Sequence, residues 1–321
     1  MQLLTNKVHV DFDAHERAET RARNGGKPRA KILCMIYIVE KFHHRLPTIY
    51  QTWGKKCDGF VAASNISDQE FHTVNIPHEG PEEYDNMWQK VRSMWSYVYH
   101  NYYDEYDWFH IGGDDLYVLV ENLRLYLESE EIELAANGGG AVTGTTIGIH
   151  DNSKHPASKH QIPLFLGCRF KLLRDNLLHD TSQVFNAGGP GYTLNKAALK
   201  ALIMTFPKCR SHLKTSEEDV SVAECLRKEW GVYPYDTKDD QGGERYMHKP
   251  PAFHLNHDPK KNWRHWYSKV SINVKAGLDC CASNSVAFHE IRGDSMMRRI
   301  HAILYGKCNT RREVTRTERA K

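Results

Sequence analysis

Residues 31–39 read KILCMIYIV, and from Ile32 to Val39 the run is apolar without alternation. A short, continuous apolar run rich in β-branched residues suits a strand buried on both faces, as in a parallel sheet. Residues 46–57 then carry a helical pattern through Ile49, Trp53 and Cys57, and residues 59–63, GFVAA, read as a second buried strand. Strand, helix and strand within about thirty residues make a βαβ unit, which predicts an α/β fold around a parallel sheet.

The same alternation continues downstream. Met87, Val91, Met94, Trp95 and Val98 fall at helical spacing between residues 83 and 103, the stripe of a helix packed on a core. Residues 107–111, DWFHI, form the next strand, which runs into Gly112-Gly113-Asp114-Asp115, and a helix follows from about residue 121. Residues 128–160 are rich in Gly, Thr and His with weak periodicity and read as an inserted loop. His150, His155 and His160 within it are a candidate metal cluster, although a solvated loop is the plainer reading. The chain resumes with PLFLG at 163–167, a glycine-rich turn NAGGPGY at 186–192, and helices from about Asn195 and Ser216. It closes with an aromatic segment at 263–267, the Cys280-Cys281 pair and a strand-like VAFH at 286–289. Residues 1–29 are polar, end in NGGKP and read as a flexible arm or stem; residues 309–321 read as a basic, disordered tail.

Composition bounds the function. With 321 residues, 40% hydrophobic and 26% charged, the chain is an ordinary globular protein, neither disordered nor collagen-like. A net charge of +3 gives no basic stripe for nucleic acid. The longest clean apolar run, at 32–39, is far short of the roughly 20 residues of a membrane-spanning helix, and no signal peptide or anchor is visible. That leaves a cytosolic protein or a chain lacking its targeting segment. The eight cysteines form no CxxC pair, which argues against a zinc ribbon or thioredoxin-type site. Their even count and wide spacing, together with the Asn65-Ile66-Ser67 sequon, favour structural disulfides in a secretory compartment.

Chemistry concentrates at two acidic pairs. Asp114-Asp115 ends a strand, and open α/β sheets bind ligands beyond the carboxyl ends of their strands. Oxygen ligands there suit Mg²⁺ or Mn²⁺. Glu217-Glu218-Asp219 open a helix, where Glu217 suits the helix dipole and, in a transferase, the same place suits a general base. His289 ends the last strand-like run and gains interest only beside a carboxylate site.

These residues lie in blocks whose order resembles the core 1 β1,3-galactosyltransferase branch of the β1,3-glycosyltransferases. The blocks are KILC at 31–34, QTWGKKCDGF at 51–60, DWFHIGGDDLYVLVENLR at 107–124, FNAGGPGYTLNKAAL at 185–199, EEDVSVAECL at 217–226, DTKD at 236–239 and CCASNSVAFHEI at 280–291. The resemblance implies a single GT-A domain over residues 30–308, a Rossmann-like nucleotide-sugar-binding fold with a mostly parallel central sheet. It implies an inverting transfer of galactose from UDP-galactose to the 3-hydroxyl of GalNAc on serine or threonine of glycoproteins, with Mn²⁺ or Mg²⁺. It also implies a type II protein of the Golgi lumen whose anchor this chain does not display; a homodimer stays open. Asp219 is then the base, with Glu218 the second candidate. Asp115 and His289 are the metal ligands, and Gly113 and Asp114 belong to the nucleotide-sugar site. Gly188, Gly189, Gly191, Tyr192, Trp88, Trp266 and Tyr267 belong to the acceptor or sugar pocket. Cys34, Cys57, Cys209, Cys225, Cys280 and Cys281 are disulfide candidates with the pairing open, leaving Cys168 and Cys308 as candidate free thiols.

One departure stands out. The family carries three successive aspartates where this chain has Gly113, Asp114 and Asp115. Side chains alternate along a strand, so Asp114 cannot replace a group lost at 113. Two rival readings follow: the same fold with another UDP-sugar donor or acceptor, or a catalytically silent relative acting as a binding protein or folding partner.

Overall fold

The computed structural model describes residues 2–138, 161–173 and 183–318, with side chains of the last helix through residue 306. Four strands from the first half build the centre: β1 (Ile32–Tyr37), β2 (Gly59–Ser64), β3 (Thr73–Asn75) and β4 (Trp108–Gly113). Among the described residues the central sheet has seven strands, in the order Pro234–Asp236, Phe165–Gly167, Tyr192–Asn195, β4, β1, β2, β3. Tyr192–Asn195 runs antiparallel to both neighbours, and every other pairing is parallel. This is the mostly parallel α/β sheet that the sequence predicts.

Burial of β1 on both faces explains its unbroken apolar run. Ile32, Cys34 and Ile36 enter one hydrophobic cluster, while Leu33 and Met35 enter the other. The second cluster holds the helices Met87–Tyr102, Lys196–Thr205 and Glu218–Trp230 against the sheet, through Trp88, Val91, Trp95, Leu199, Leu202, Val222 and Leu226. The first holds Leu46–Thr52, Val120–Leu127 and the final helix Asp294–Glu318, through Ile49, Trp53, Leu123, Ile300 and others. Three disulfides join Cys34 to Cys57, Cys209 to Cys225 and Cys280 to Cys281. The first ties β1 to the end of the crossover before β2; closing a loop of 23 residues contributes about 3 kcal/mol. Cys168 is a buried free thiol, and the side chain of Cys308 lies outside the described residues.

Three expectations need correction. The segment read as a free arm folds onto the domain as helices Gln2–Asn6 and Phe12–Arg23, with Leu3, Leu4, Val8 and Val10 buried in the core. Four apolar residues scattered among charges are enough to dock it, a signal that the polar average conceals. The insertion begins as a helix, Glu130–Ala136, capped by the Ser129 hydroxyl and anchored by buried Ile132 and Ala136. Its remainder from residue 139, including His150, His155 and His160, lies outside the described residues. The stretch read as a disordered tail continues the last helix to Glu318. Among the described residues no helix is long and apolar enough to cross a membrane.

Candidate active site

Strand pairing brings distant acids and bases to one end of the sheet. Beyond β4 the chain passes Asp114-Asp115 and forms the short strand Tyr117–Val118, which pairs antiparallel with Ala287–Phe288. That pairing brings the His289 side chain to Asp115; the His289 N–H donates to the Met247 carbonyl at 3.0 Å, and the Ile291 N–H donates to the Asp115 carbonyl at 2.8 Å. On the other side of β4, Ile111 pairs with Tyr192, so the turn before Tyr192 sits at the same end.

Asp115 and His289 form the first centre. His289 Nδ1 donates to the His248 carbonyl at 3.1 Å, which leaves Nε2 as the nitrogen facing Asp115 Oδ1 at 3.3 Å. Two electron-rich atoms aimed at each other need a positive charge between them, a proton or a cation. A carboxylate with an imidazole oriented by a backbone carbonyl is a donor set that fits Mn²⁺ or Mg²⁺. Among the described residues no third His, Cys, Asp or Glu completes a cluster, so a bound cation would keep positions open for other ligands. Burial alone would raise the Asp115 carboxyl, but His289 and then Arg292, at 3.5 Å, more than offset it and hold it below its ordinary value. Asp114 is occupied elsewhere, paired with Arg45 at 2.6 Å; burial still leaves its carboxyl raised.

Glu218 and Asp219 form the second centre, in the first turn of their helix. Glu218 is buried and accepts the Tyr192 phenol at 2.9 Å; burial, then the charge of Asp219, pushes its carboxyl well up. Asp219 is only partly buried and accepts the backbone N–H of Gly188 at 2.8 Å. Desolvation lifts it to about 6, against the pull of the Gly188 and Val220 N–H groups. It is therefore a carboxylate at neutral pH with a raised affinity for a proton, as a general base requires.

The glycine turn joins the two centres. A Cβ at Gly188 would collide with Glu218, and one at Gly189 with His289. Gly191, at φ +72°, completes the turn against His110. On the side where a Cβ would stand, protein groups rather than a sugar fill the space at Gly188 and Gly189. Tyr192 is likewise no substrate contact: it is 1% exposed and spans Trp95 and Glu218. Trp88 is fully buried, its indole N–H donating to the Arg210 carbonyl at 2.8 Å, and Tyr267 is buried in an aromatic cluster. Neither can reach an acceptor. Trp266 is 43% exposed and packs edge-on to His248, whose ring in turn lies 5.3 Å from that of His289. His248, Arg45, Arg292, Tyr37 and Tyr84 were not singled out from the sequence. Only Tyr37 left a signal there, since KILCMIY and DWFHIGG are parallel runs whose ends, 37 and 113, fall side by side.

The likeness to known proteins is to glycosyltransferases. The chain is 25% identical over 250 residues to the Xenopus laevis protein named glycoprotein-N-acetylgalactosamine 3-beta-galactosyltransferase 1. The match takes in 77% of this chain but spans only 59% of the length of that relative. It bears out the resemblance to the core 1 β1,3-galactosyltransferases. A weaker likeness, 26% over 144 residues, is to human chondroitin sulfate synthase 3, covering 45% of this chain and 14% of that one; the mouse protein of the same name is 23% identical over the same length. A glycosyltransferase involved in glycosylation of the major capsid of PBCV-1 is a structural neighbour at TM-score 0.31 and 13% identity, covering 84% of this chain and 98% of its own. A comparison with protein-family models gives no match.

Proposed function

We propose that the chain is an inverting glycosyltransferase that moves galactose from UDP-galactose to the 3-hydroxyl of GalNAc α-linked to serine or threonine of a glycoprotein. The observation that carries this reading is the convergence of two unlike acid centres on one glycine turn, Asp115 with His289 and Glu218 with Asp219. The 25% identity to a named galactosyltransferase supports the choice of sugars.

Inversion needs one in-line displacement. Asp219, held by the Gly188 N–H, accepts the proton of the acceptor hydroxyl as that oxygen attacks the anomeric carbon. The bond from that carbon to the UDP oxygen breaks, and UDP leaves with the electron pair. Burial, then the charge of Asp219, raises the Glu218 carboxyl well above its ordinary value, which disfavours a second charge beside the base. Asp115 and His289 would hold the divalent cation, whose charge supplies stabilisation to the departing diphosphate. Exposed Trp266 offers an aromatic face for the acceptor. The disulfides suit an oxidising compartment, and we place the enzyme in the Golgi lumen.

The test is transfer from UDP-galactose to a GalNAcα-threonine peptide, with and without Mn²⁺, for the wild type and Asp219→Asn. Metal-dependent product that disappears in the variant is the expected result. Product from a different UDP-sugar alone would overturn the donor. The missing carboxylate at Gly113 favours one second reading, a silent relative acting as a binding protein. Its mark is no product from any UDP-sugar and no binding of UDP with Mn²⁺.

A further inference from the structure

We propose that Tyr37 is a donor-binding residue whose phenol, seated in the space left open beside Gly113, hydrogen-bonds a sugar hydroxyl of the bound nucleotide sugar. This rests on the glycosyltransferase reading above and adds a contact to it.

The placement follows from the sheet. β1 and β4 are parallel neighbours in a register that sets Tyr37 beside Gly113, at the carboxyl ends where such sheets bind ligands. Gly113 contributes no side chain, and the Tyr37 ring takes the room. A Cβ on residue 113 would stand 3.1 Å from Tyr37 Cε2 and 3.4 Å from Cζ, the carbon bearing the hydroxyl; the same point is 3.4 Å from Asp115 Oδ1. The hydroxyl end of the ring thus shares its corner with the Asp115 carboxylate. Tyr37 also lies within electrostatic reach of Glu218, Asp219 and Tyr84.

Among the described residues the Tyr37 hydroxyl has no hydrogen-bond partner, although β1 is otherwise apolar. A phenylalanine would fill this space as well, and Tyr37 is only half-buried, so its hydroxyl stays open to a ligand. The partner is therefore sought in the ligand. Its chemistry is set by the surroundings: carboxylates flank the phenol, which disfavours a bare anion at this spot and favours a neutral group able both to donate and to accept. A sugar hydroxyl has that character. A nucleotide sugar offers it from two sources, the ribose and the transferred hexose.

The experiment compares wild type, Tyr37→Phe and Gly113→Ala, measuring UDP binding with Mn²⁺ by calorimetry and donor kcat/KM with UDP-galactose. Tyr37→Phe keeps the ring and loses only the hydroxyl; Gly113→Ala keeps the hydroxyl and crowds the ring, whose nearest carbon lies 3.1 Å from the new methyl, out of its seat. Each should lose about tenfold, the loss of one hydrogen bond. If the partner is the ribose, UDP binding itself weakens. If it is the hexose, UDP binding holds within twofold and donor kcat/KM falls. Tyr37→Phe matching the wild type within twofold in both measurements overturns the proposal. So does a binding loss accompanied by a large fall in melting temperature, which would assign the hydroxyl to the fold. A wild-type chain that binds no UDP with Mn²⁺ takes down the nucleotide-sugar reading itself, a result distinct from failure of Tyr37 alone.

Discussion

Asp115 and Asp219 are the same residue type at the same end of the same sheet, yet their surroundings drive them in opposite directions. Asp115 follows a strand and faces His289 and Arg292, which hold its carboxyl below the ordinary value. Asp219 begins a helix beside a buried Glu218 and near Glu217, and burial lifts its carboxyl to about 6. Sequence spacing makes the two pairs look alike, Asp114-Asp115 and Glu218-Asp219. Environment separates them into a charge that stays and a charge that exchanges a proton.

The sharpest way to break the comparison is to make Asp219 unable to take a proton while leaving its shape. Asp219→Asn should lower transfer by about 10²–10⁴-fold, the usual worth of a positioned base. UDP affinity with Mn²⁺ should stay within about twofold. The folded-state carboxyl is raised above its unfolded value, so its stabilising effect is complete at acid pH and is lost as pH rises through about 6. At pH 7 the wild type therefore bears the cost of a partly desolvated charge that the amide avoids. The variant should melt no lower than the wild type at pH 7, and a clearly lower melting point would mean that Asp219 is held chiefly for the fold.

The converse change should spare the proton and remove the fixed charge. Asp115→Ala should lose at least about tenfold in Mn²⁺-dependent UDP binding, with the acid limb of any residual activity unmoved. Calorimetry with and without the metal reads the first part. Metal dependence intact in this variant would remove Asp115 from the cation site.

Much of this was legible and some could not be. The run at 32–39, the GFVAA strand and the DWFHI strand announce a parallel sheet because both faces of each are largely buried, so apart from Asp107 and His110 the runs are apolar. The acids were legible as residue types at element ends. The pairing of Asp115 with His289 comes from the family resemblance and not from any local pattern, because it is made by strand pairing between residues 117–118 and 287–288. The glycine turn is a place of close approach, and on its Cβ side the approaching groups are Glu218 and His289, which no local pattern of the turn announces. Aromatic residues divided by burial. Trp88 and Tyr267 look like cleft residues in sequence and are core, whereas Trp266, next in the chain to Tyr267, keeps a face open. The N-terminal segment failed for a related reason, since four docked apolar residues vanish in a polar average.

A change outside both pairs separates donor from acceptor effects. Trp266 reaches the first centre only through His248, so Trp266→Ala should raise the acceptor KM by roughly threefold to tenfold, the scale of one aromatic contact, while donor KM holds. A donor effect instead would place Trp266 on the nucleotide side of the cleft.

The smallest effect tests the comparison most finely. If Asp219 is the base, kcat/KM should fall tenfold per pH unit below about 6, because the raised carboxyl then carries a proton and cannot accept another. Glu217 contributes to that elevation through its charge, and it is exposed, so Glu217→Gln should fold normally. Removing a negative neighbour makes ionisation of Asp219 easier, which moves the limb to lower pH. Solvent screening at an exposed site limits the shift to a few tenths of a pH unit, about a twofold gain in activity on the acid side and none at pH 8. A limb that moves upward, or one that survives in Asp219→Asn, would assign the titration to another group and return Glu218 to consideration as the base.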